Sequence, residues 1–135
     1  KIIGAIKIYD TRSGIDPDFP ESLHNDDELC KIGHAGEEFG TTTGRKRIIN
    51  WLNMDKLVKA INISGTTDLI ISKVDIVNNL QLFKLIVKNT IQLSENISEI
   101  ISFINDYLLS KCMLLKKISY SDNPHDIEDN SLKYL

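Results

Sequence analysis

Short isoleucine-rich runs alternate along this chain with stretches of helical periodicity, and this alternation limits the fold more than any other feature. Runs of this length and composition are typical of buried β-strands. The predicted strands cover residues 2–9, a core at residues 69–71, residues 80–89 and residues 113–119. Because strands that alternate with helices build an α/β domain, we expect a mixed sheet flanked by helices.

Two segments have the pattern of amphipathic helices. The first is capped by Asn53, carries apolar residues three and four positions apart, and ends before Gly65. The second begins at a capping box formed by Asn96 and Glu99. Its apolar stripe consists of Ile97, Ile100, Ile101, Ile104, Tyr107 and Leu108.

Length and charge restrict the class of protein. The chain has 135 residues, which predicts one domain with a core of its own. A net charge of -3 argues against a nucleic-acid or membrane-surface binder, which needs a broad basic face. No run reaches the ~18 apolar residues of a membrane span. We therefore expect neither nucleic acid nor a membrane as a partner.

The cysteines predict a reduced, cytoplasmic protein without a metal site. Cys30 and Cys112 lie far apart in sequence and match no zinc-binding spacing. His24, Cys30 and His34 could be imagined as metal ligands, but their spacing fits no known site. The simpler interpretation is that they are surface side chains.

Residues 10–50 lose the apolar periodicity and are rich in Gly, Pro, Asp and Thr. A loop of about 40 residues in a compact domain is usually functional or disordered. We favour function, because the segment contains the motif EFGTTTGRKRIINW at residues 38–51. The polar tail at residues 121–135 is expected to be loose.

The motif has the chemistry of an anion site. Its glycines allow backbone amides to approach an oxyanion, and Thr41, Thr42 and Thr43 add hydroxyl donors. In an extended backbone, Arg45 and Arg47 lie on one side and Lys46 on the other. Two guanidinium groups can then converge on one carboxylate or phosphate. The alternative interpretation is a basic turn solvated by water.

These residues resemble the adenylosuccinate synthetase family of purine biosynthesis. EFGTTTGRKR, the nearby Trp51 and SKVDI at residues 72–76 are similar to the family's EFGTTTGRxRR, Trp and TKLDVLDGL patterns. TRSGIDPDFPE at residues 11–21 resembles the family's TRVGxGPFPTE loop. KKISYSDNP at residues 116–124 stands in the place of its ISTGPDR segment. The resemblance implies the C-terminal part of the family's P-loop NTPase-like fold, in a cytoplasmic homodimer.

The resemblance implies a concrete reaction and concrete roles. Such enzymes use GTP and Mg²⁺ to phosphorylate the 6-oxygen of IMP, and the amino group of L-aspartate then displaces the phosphate. The threonine-glycine-arginine loop binds the aspartate carboxylates. The aspartate-binding residues implied here are Thr41, Thr42, Thr43, Gly44, Arg45 and Arg47.

The same resemblance assigns the nucleotide contacts. Arg45 would also reach IMP, and Arg47 the transferring phosphoryl group of GTP. Lys73 and Asp75 match the guanine-binding KxD segment, and Ser119 and Ser121 lie in the second guanine-side segment. Two residues apart at the end of a strand, Lys73 and Asp75 are expected to project from one face. Without the upstream motif, a surface ion pair that closes the strand would be the better interpretation.

Departures from the family pattern leave alternatives open. GPFPTE has become DPDFPE, LDG has become VNN, and TGPDR has become YSDNP. The acceptor could therefore be IMP or a guanine nucleotide, as in a phage branch that makes an aminoadenylate precursor from GMP or dGMP. The donor could be GTP or ATP. A non-catalytic descendant that only binds a nucleotide or a protein is a third hypothesis.

Nothing like the family's GDEGKGK loop occurs in this sequence. In the family that loop, the catalytic Asp and His and most Mg²⁺ contacts lie N-terminal to the matching region. The resemblance thus implies no catalytic residue and no metal ligand in this chain, and we expect the chain alone to be inactive. Finding GDEGKGK in the coding sequence upstream of Lys1 would support the enzyme.

Overall fold

The computed structural model describes residues 1–14 and 16–121, and this part of the chain alternates strands and helices. The strands are β1 Ile3–Lys7, β2 Tyr9–Arg12, β3 Ile48–Asn53, β4 Asp68–Ser72, β5 Lys84–Val87, β6 Thr90–Leu93 and β7 Lys117–Ser121. The α-helices are α1 Asp27–Ala35, α2 Met54–Ser64, α3 Val74–Leu80 and α4 Ile97–Lys111, and a 3₁₀ helix covers Glu21–Asn25. The predicted α/β class, with sheets flanked by helices, is confirmed.

The strands form two sheets. The first has the order β1-β4-β7 and is entirely parallel, with Lys7 beside Ser72 and Ser72 beside Ser121 at one end. The second has the order β2-β3-β5-β6, with antiparallel pairs at its edges and a parallel pair in its centre. The chain passes from the first sheet to the second at Ile8, whose amide donates to the carbonyl of Ser72 at 3.0 Å.

Both sheets and the helices share one apolar core. The inner stripe of α4 is fully buried at Ile100, Ile101, Ile104 and Leu108. The Tyr120 hydroxyl donates to Asn105 Oδ1 at 2.6 Å and so connects β7 to α4. Removal of this apolar surface from water is the main force that holds the strand ends in place.

The two predicted helices are confirmed with their caps. Asn53 Oδ1 accepts from the amide of Lys56 at 3.2 Å at the start of α2, and Gly65 ends that helix in the left-handed conformation at φ 71°. Asn96 Oδ1 accepts from the amide of Glu99 at 2.9 Å at the start of α4. The predicted strand core at residues 69–71 is confirmed in β4. The predicted strand at residues 2–9 is divided between β1 and β2, and of residues 113–119 only residues 117–119 belong to a strand, β7.

The segment at residues 10–50 is not one continuous loop. It contains β2, the 3₁₀ helix and α1, and β3 begins within it. Leu29 and Ile32 are the only large apolar side chains of α1, so its amphipathic pattern is weak, and Gly33 lowers its helix propensity further. The irregular stretch that contains the threonine motif is therefore much shorter than the sequence predicts.

The expected strand at residues 80–89 is also divided. Residue Leu80 ends α3, and only Lys84–Val87 form a strand, which turns back as a hairpin into β6. Lys88 and Asn89 make that turn with φ of 50° and 59°. The expected loose tail lies outside the described residues, except for Ser121 at the end of β7. Within residues 1–14 and 16–121, none of the helices is long and apolar enough to cross a membrane.

Candidate functional site

Parallel pairing brings three strand ends to one edge of the first sheet. Lys7 ends β1, Ser72 ends β4 and Ser121 ends β7, and the three are neighbours in register. Ligands of open α/β sheets bind at the carboxyl ends of strands. Ser119 and Ser121 are buried in β7, with 4% and 2% of their surfaces exposed.

Lys73 and Asp75 lie beyond the end of β4, although the sequence predicts that they end this strand. Lys73 adopts the left-handed conformation at φ 65° and serves as the N-cap of α3, and Asp75 lies in the first turn of that helix. The expected projection of both residues from one face of an extended strand is therefore wrong, because the chain turns directly after Ser72. Lys73 Nζ donates to the carbonyl of Gly36 at 3.3 Å, so it contacts the segment that precedes the threonine motif.

Asp75 presents an unsatisfied acceptor at this edge. Its Oδ1 is buried and has no hydrogen-bond partner among the described residues. A buried acceptor without a partner costs about 1–3 kcal/mol. A ligand N–H at this position would remove that cost.

The threonine motif forms a narrow hairpin-like loop. The amide of Arg47 donates to the carbonyl of Glu38 at 3.0 Å, and the amide of Gly40 donates to the carbonyl of Arg45 at 2.8 Å. Phe39 pairs with Lys46 between these two bonds. Thr41, Thr42 and Thr43 occupy the exposed tip, and Gly44 allows the turn with φ 65°. The hydroxyl-rich arc is thus open to solvent, as an anion site requires.

The cations of the loop meet different neighbours. Lys46 Nζ lies 3.5 Å from Cys30 Sγ on α1, and Arg47 Nη1 donates to Glu38 Oε2 at 3.1 Å. Arg45 is exposed and lines a cavity of about 650 Å³. The predicted alternation is not confirmed, because Lys46 lines the same cavity as Arg45. Convergence of Arg45 and Arg47 on a single ligand stays a prediction.

The cavity beside Arg45 lies between the loop and the residues that follow β2. Its other lining residues are Ser13, Gly14, Asp16, Phe19, Pro20, His24, Lys46 and Ile48. Arg12 stacks over the Phe19 ring at 4.9 Å and donates from Nε to Asp16 Oδ2 at 3.0 Å. The segment that resembles the TRVGxGPFPTE loop thus faces the same space as Arg45.

Glu38 is the central side chain that sequence reasoning missed. It is 2% exposed, and its Oε2 accepts from Lys7 Nζ at 2.8 Å and from Arg47 Nη1 at 3.1 Å. Its Oε1 accepts from the Tyr9 hydroxyl at 3.2 Å. The sequence contains one signal for this role, a carboxylate at the start of a basic motif, but its burial depends on the sheets that surround it.

The surroundings of Glu38 shift two pKa values. Burial alone would raise the pKa of Glu38, but hydrogen bonds and charge from Lys7 and Arg47 outweigh it and leave the pKa below its ordinary value of 4.5. Burial, together with the charge of Glu38, raises the pKa of the Tyr9 hydroxyl far above its ordinary range. Glu38 is therefore an anion at neutral pH, and Tyr9 is a neutral donor.

No group of three or more His, Cys, Asp or Glu side chains gathers as a metal site within residues 1–14 and 16–121. Cys30 Sγ donates to the backbone carbonyl of His24 at 2.9 Å, which leaves the thiol in a structural contact.

Comparison with known proteins identifies the family of the chain. The family model for adenylosuccinate synthetase matches residues 1–114. The adenylosuccinate synthetase of Chlorobaculum parvum is 43% identical over 84 residues, which are 62% of this chain and 19% of that protein. Those of Brugia malayi and Thermotoga maritima are 42% and 40% identical, over 62% and 65% of this chain and 19% and 22% of those proteins.

A solved structure agrees with the fold. The structure of a fully ligated adenylosuccinate synthetase from Plasmodium falciparum superposes with a TM-score of 0.71 at 20% identity, covering 88% of this chain and 36% of that chain. The chain spans about a fifth of the length of the curated relatives that it matches. Because the family model covers most of its residues, this chain belongs to the adenylosuccinate synthetase family.

Proposed function

We propose that this chain supplies the aspartate-binding loop and the guanine contacts of a GTP-dependent ligase that joins L-aspartate to IMP. In the reaction, the γ-phosphoryl group of GTP is transferred to the 6-oxygen of IMP. The amino group of aspartate then attacks carbon 6 of the purine ring. A C–N bond forms there, and phosphate leaves with the 6-oxygen. The products are adenylosuccinate, GDP and phosphate.

The exposed threonine-arginine loop beside the carboxyl edge of the parallel sheet is the observation that carries the proposal. An open arc of hydroxyl groups, with Gly44 in a turn and cations in the residues that follow it, matches the chemistry of a small dicarboxylate. We assign aspartate binding to this arc. Its residues are Thr41, Thr42, Thr43, Gly44, Arg45 and Arg47.

The guanine contacts are assigned to the residues at and after the carboxyl ends of β4 and β7. The unsatisfied Oδ1 of Asp75 is suited to accept from N1 or the exocyclic amine of guanine. Lys73 lies next to it at the N-cap of α3, and Ser119 and Ser121 end the neighbouring strand. Arg47 is assigned to the transferring phosphoryl group of GTP, as the family resemblance implies.

The acceptor nucleotide is assigned to the cavity beside Arg45. Its volume of about 650 Å³ lies within the range of small-molecule sites, about 300–1,000 Å³. Arg45 would contact IMP there and place its positive charge near the phosphate or the ribose of IMP. The altered sequence around Asp16 keeps GMP or dGMP as the second candidate acceptor, because the new carboxylate of Asp16 at this cavity can accept from an exocyclic amine.

Mg²⁺ belongs to the proposal only through the family. It would neutralise charge on the transferring phosphate, and its ligands would lie outside the described part of this chain. The cytoplasmic location and the homodimer are likewise proposals from the family. The chain by itself is proposed to be inactive, because its sequence has no phosphate-binding GDEGKGK loop.

The test is synthesis by the complete protein that carries this chain. Incubation with IMP, L-aspartate, GTP and Mg²⁺ should form adenylosuccinate and GDP in equal amounts, measured by chromatography. Parallel reactions replace IMP by GMP or dGMP, and GTP by ATP. Turnover with GMP or dGMP but not with IMP would establish the second candidate. Absence of aspartate-dependent turnover with every acceptor would refute a ligase and support the non-catalytic descendant.

A further inference from the structure

The carboxylate of Glu38 connects Arg47 to both sheets. Lys7 belongs to β1 of the first sheet, and Tyr9 belongs to β2 of the second. Both donate to Glu38, at 2.8 Å and 3.2 Å, and Arg47 donates to it at 3.1 Å. The backbone of Glu38 is fixed as well, because its amide donates to the carbonyl of Gly33 at 2.9 Å and its carbonyl accepts from the amide of Arg47.

The backbone at Gly36 packs closely against the cluster formed by Lys7, Tyr9, Glu38 and Arg47. A Cβ atom at Gly36 would lie 2.4 Å from the Tyr9 hydroxyl, so only glycine fits there. Lys73 holds the carbonyl of the same glycine at 3.3 Å. The segment that leads into Glu38 is therefore fixed against β2 and the end of β4, and the carboxylate has little freedom to move.

Arg47 keeps part of its guanidinium group available. Glu38 engages it through Nη1, and the Arg47 side chain remains 30% exposed, whereas that of Glu38 is 3% exposed. Arginine has five N–H donors in a rigid planar fork. A contact at one end of the fork therefore sets the direction of the remaining donors. It does so without consuming all of them.

The charge of the cluster favours an anion. Lys7 and Arg47 carry two positive charges, and the shared Glu38 oxygen supplies one negative charge, so these three groups together keep one positive charge. A fully neutralised buried pair would attract no anion. A cation that is held in place by its neighbours attracts an anion, and the entropic cost of ordering the Arg47 side chain is already met in the free protein.

We propose that Glu38 is a positioning residue that holds Arg47 in its ligand-binding orientation, with Tyr9 and Lys7 fixing Glu38 in turn. The inference rests on the proposed function, because it assigns the ligand of Arg47 as the aspartate carboxylate or the transferring phosphate. A structural role alone would stabilise the fold without a specific effect on these ligands. The two roles differ in how substitutions at positions 38 and 47 combine.

The experiment is a double-mutant cycle in the complete protein. Glu38→Gln keeps the size of the side chain but removes its charge, and Arg47→Lys keeps a charge but removes the fork. Steady-state kinetics give KM for aspartate, IMP and GTP, and kcat. We expect Glu38→Gln to raise the aspartate KM about tenfold or more, or to lower kcat by a similar factor, while the IMP KM changes less than about twofold.

The combination with Arg47→Lys decides the role. If Glu38 acts through Arg47, Glu38→Gln should add less than about a twofold effect in the Arg47→Lys background. Independent, multiplying effects, or a Glu38→Gln variant with unchanged kinetics, would overturn the inference. The neighbouring exposed residue provides the matched control, Glu37→Gln, which should behave as the wild type.

A second variant keeps the test decisive if Glu38→Gln does not fold. Tyr9→Phe removes only the hydroxyl that donates to Oε1, and it should raise the aspartate KM or lower kcat about threefold, again only when Arg47 is present. A Tyr9→Phe enzyme with wild-type kinetics would then overturn the inference. If the wild-type protein shows no aspartate-dependent turnover, the proposed function itself fails. Sensitivity to Arg47→Lys without this coupling would refute only the role of Glu38.

Discussion

A buried ion cluster holds one residue of the basic motif, Arg47, in place. Arg47 is held by a carboxylate that is 2% exposed, and that carboxylate is fixed by Lys7 and Tyr9. A surface turn would leave its arginine mobile, at an entropic cost when a ligand binds. At the scale of single residues, the loop is therefore partly preorganised.

Replacement of Arg47 by alanine should damage catalysis more than folding. The change removes a guanidinium donor that is proposed to contact charge developing in the transition state, so the aspartate KM should rise and kcat should fall, each about tenfold or more. Steady-state kinetics of the complete protein measure both. Lys59→Ala, an exposed cation on α2, is the control and should leave both constants unchanged. Wild-type constants for Arg47→Ala would contradict the assignment.

Asp75→Asn should reduce the preference for GTP over ITP. Inosine lacks the exocyclic amine, so the carboxylate gains more from guanine than from hypoxanthine, and a charge-assisted contact contributes about 1.5–3 kcal/mol. We expect the ratio of kcat/KM for GTP to that for ITP to fall about tenfold or more. Asp68→Asn, at the opposite end of β4, is the matched control. Undiminished selectivity in Asp75→Asn would remove this residue from the base site.

At the scale of elements, local sequence signals are sufficient to predict the helices with a strong apolar periodicity, α2 and α4. Asn53 and Asn96 cap their helices as predicted, and Gly65 ends α2 in the conformation that its position indicates. In contrast, α1 could not be predicted because Leu29 and Ile32 are its only large buried residues. The signal of α3 was present, since Val74, Val77 and Leu80 recur every three residues, but it was too short to separate from a strand.

Gly65→Ala should destabilise the protein by about 1 kcal/mol. The substituted Cβ would have ordinary van der Waals space, so the cost is the left-handed conformation at φ 71°, which alanine adopts poorly. Urea denaturation followed by far-ultraviolet circular dichroism measures the free energy of unfolding. Gly14→Ala adds a methyl group in open space without positive φ and should change stability by less than about 0.5 kcal/mol. Equal effects at the two positions would refute the conformational explanation.

At the scale of the whole molecule, the site depends on topology that no local pattern contains. Lys7, Ser72 and Ser121 come from distant parts of the chain and meet only because β1, β4 and β7 are parallel neighbours. Motifs in the sequence indicate which residues of the loop and of the strand ends are candidates for ligand binding. They could not predict Glu38, because the burial of that carboxylate follows from two sheets that both donate to it.

Acid should therefore weaken the connection between the sheets. The pKa of Glu38 is lowered in the folded protein relative to its ordinary 4.5, so its ion pairs stabilise the fold above that value and are lost as pH falls through the folded-state pKa. Thermal unfolding from pH 7 to pH 3 should show wild type more stable than Glu38→Gln at neutral pH, with the difference narrowing below about pH 4.5. Glu37→Gln should follow the wild type. A gap that stays constant with pH would contradict the ionic explanation.

The contact between Cys30 and Lys46 has a practical consequence for fluorescence work. Cys30 is partly exposed on α1, its sulfur 3.5 Å from the loop lysine, whereas Cys112 is buried and burial raises its thiol pKa. Maleimide dyes react with accessible thiols, so between the two cysteines of this chain Cys30 should be labelled before Cys112. The emission of a dye at Cys30 would then report, in real time, whether the neighbouring loop responds when a dicarboxylate is added.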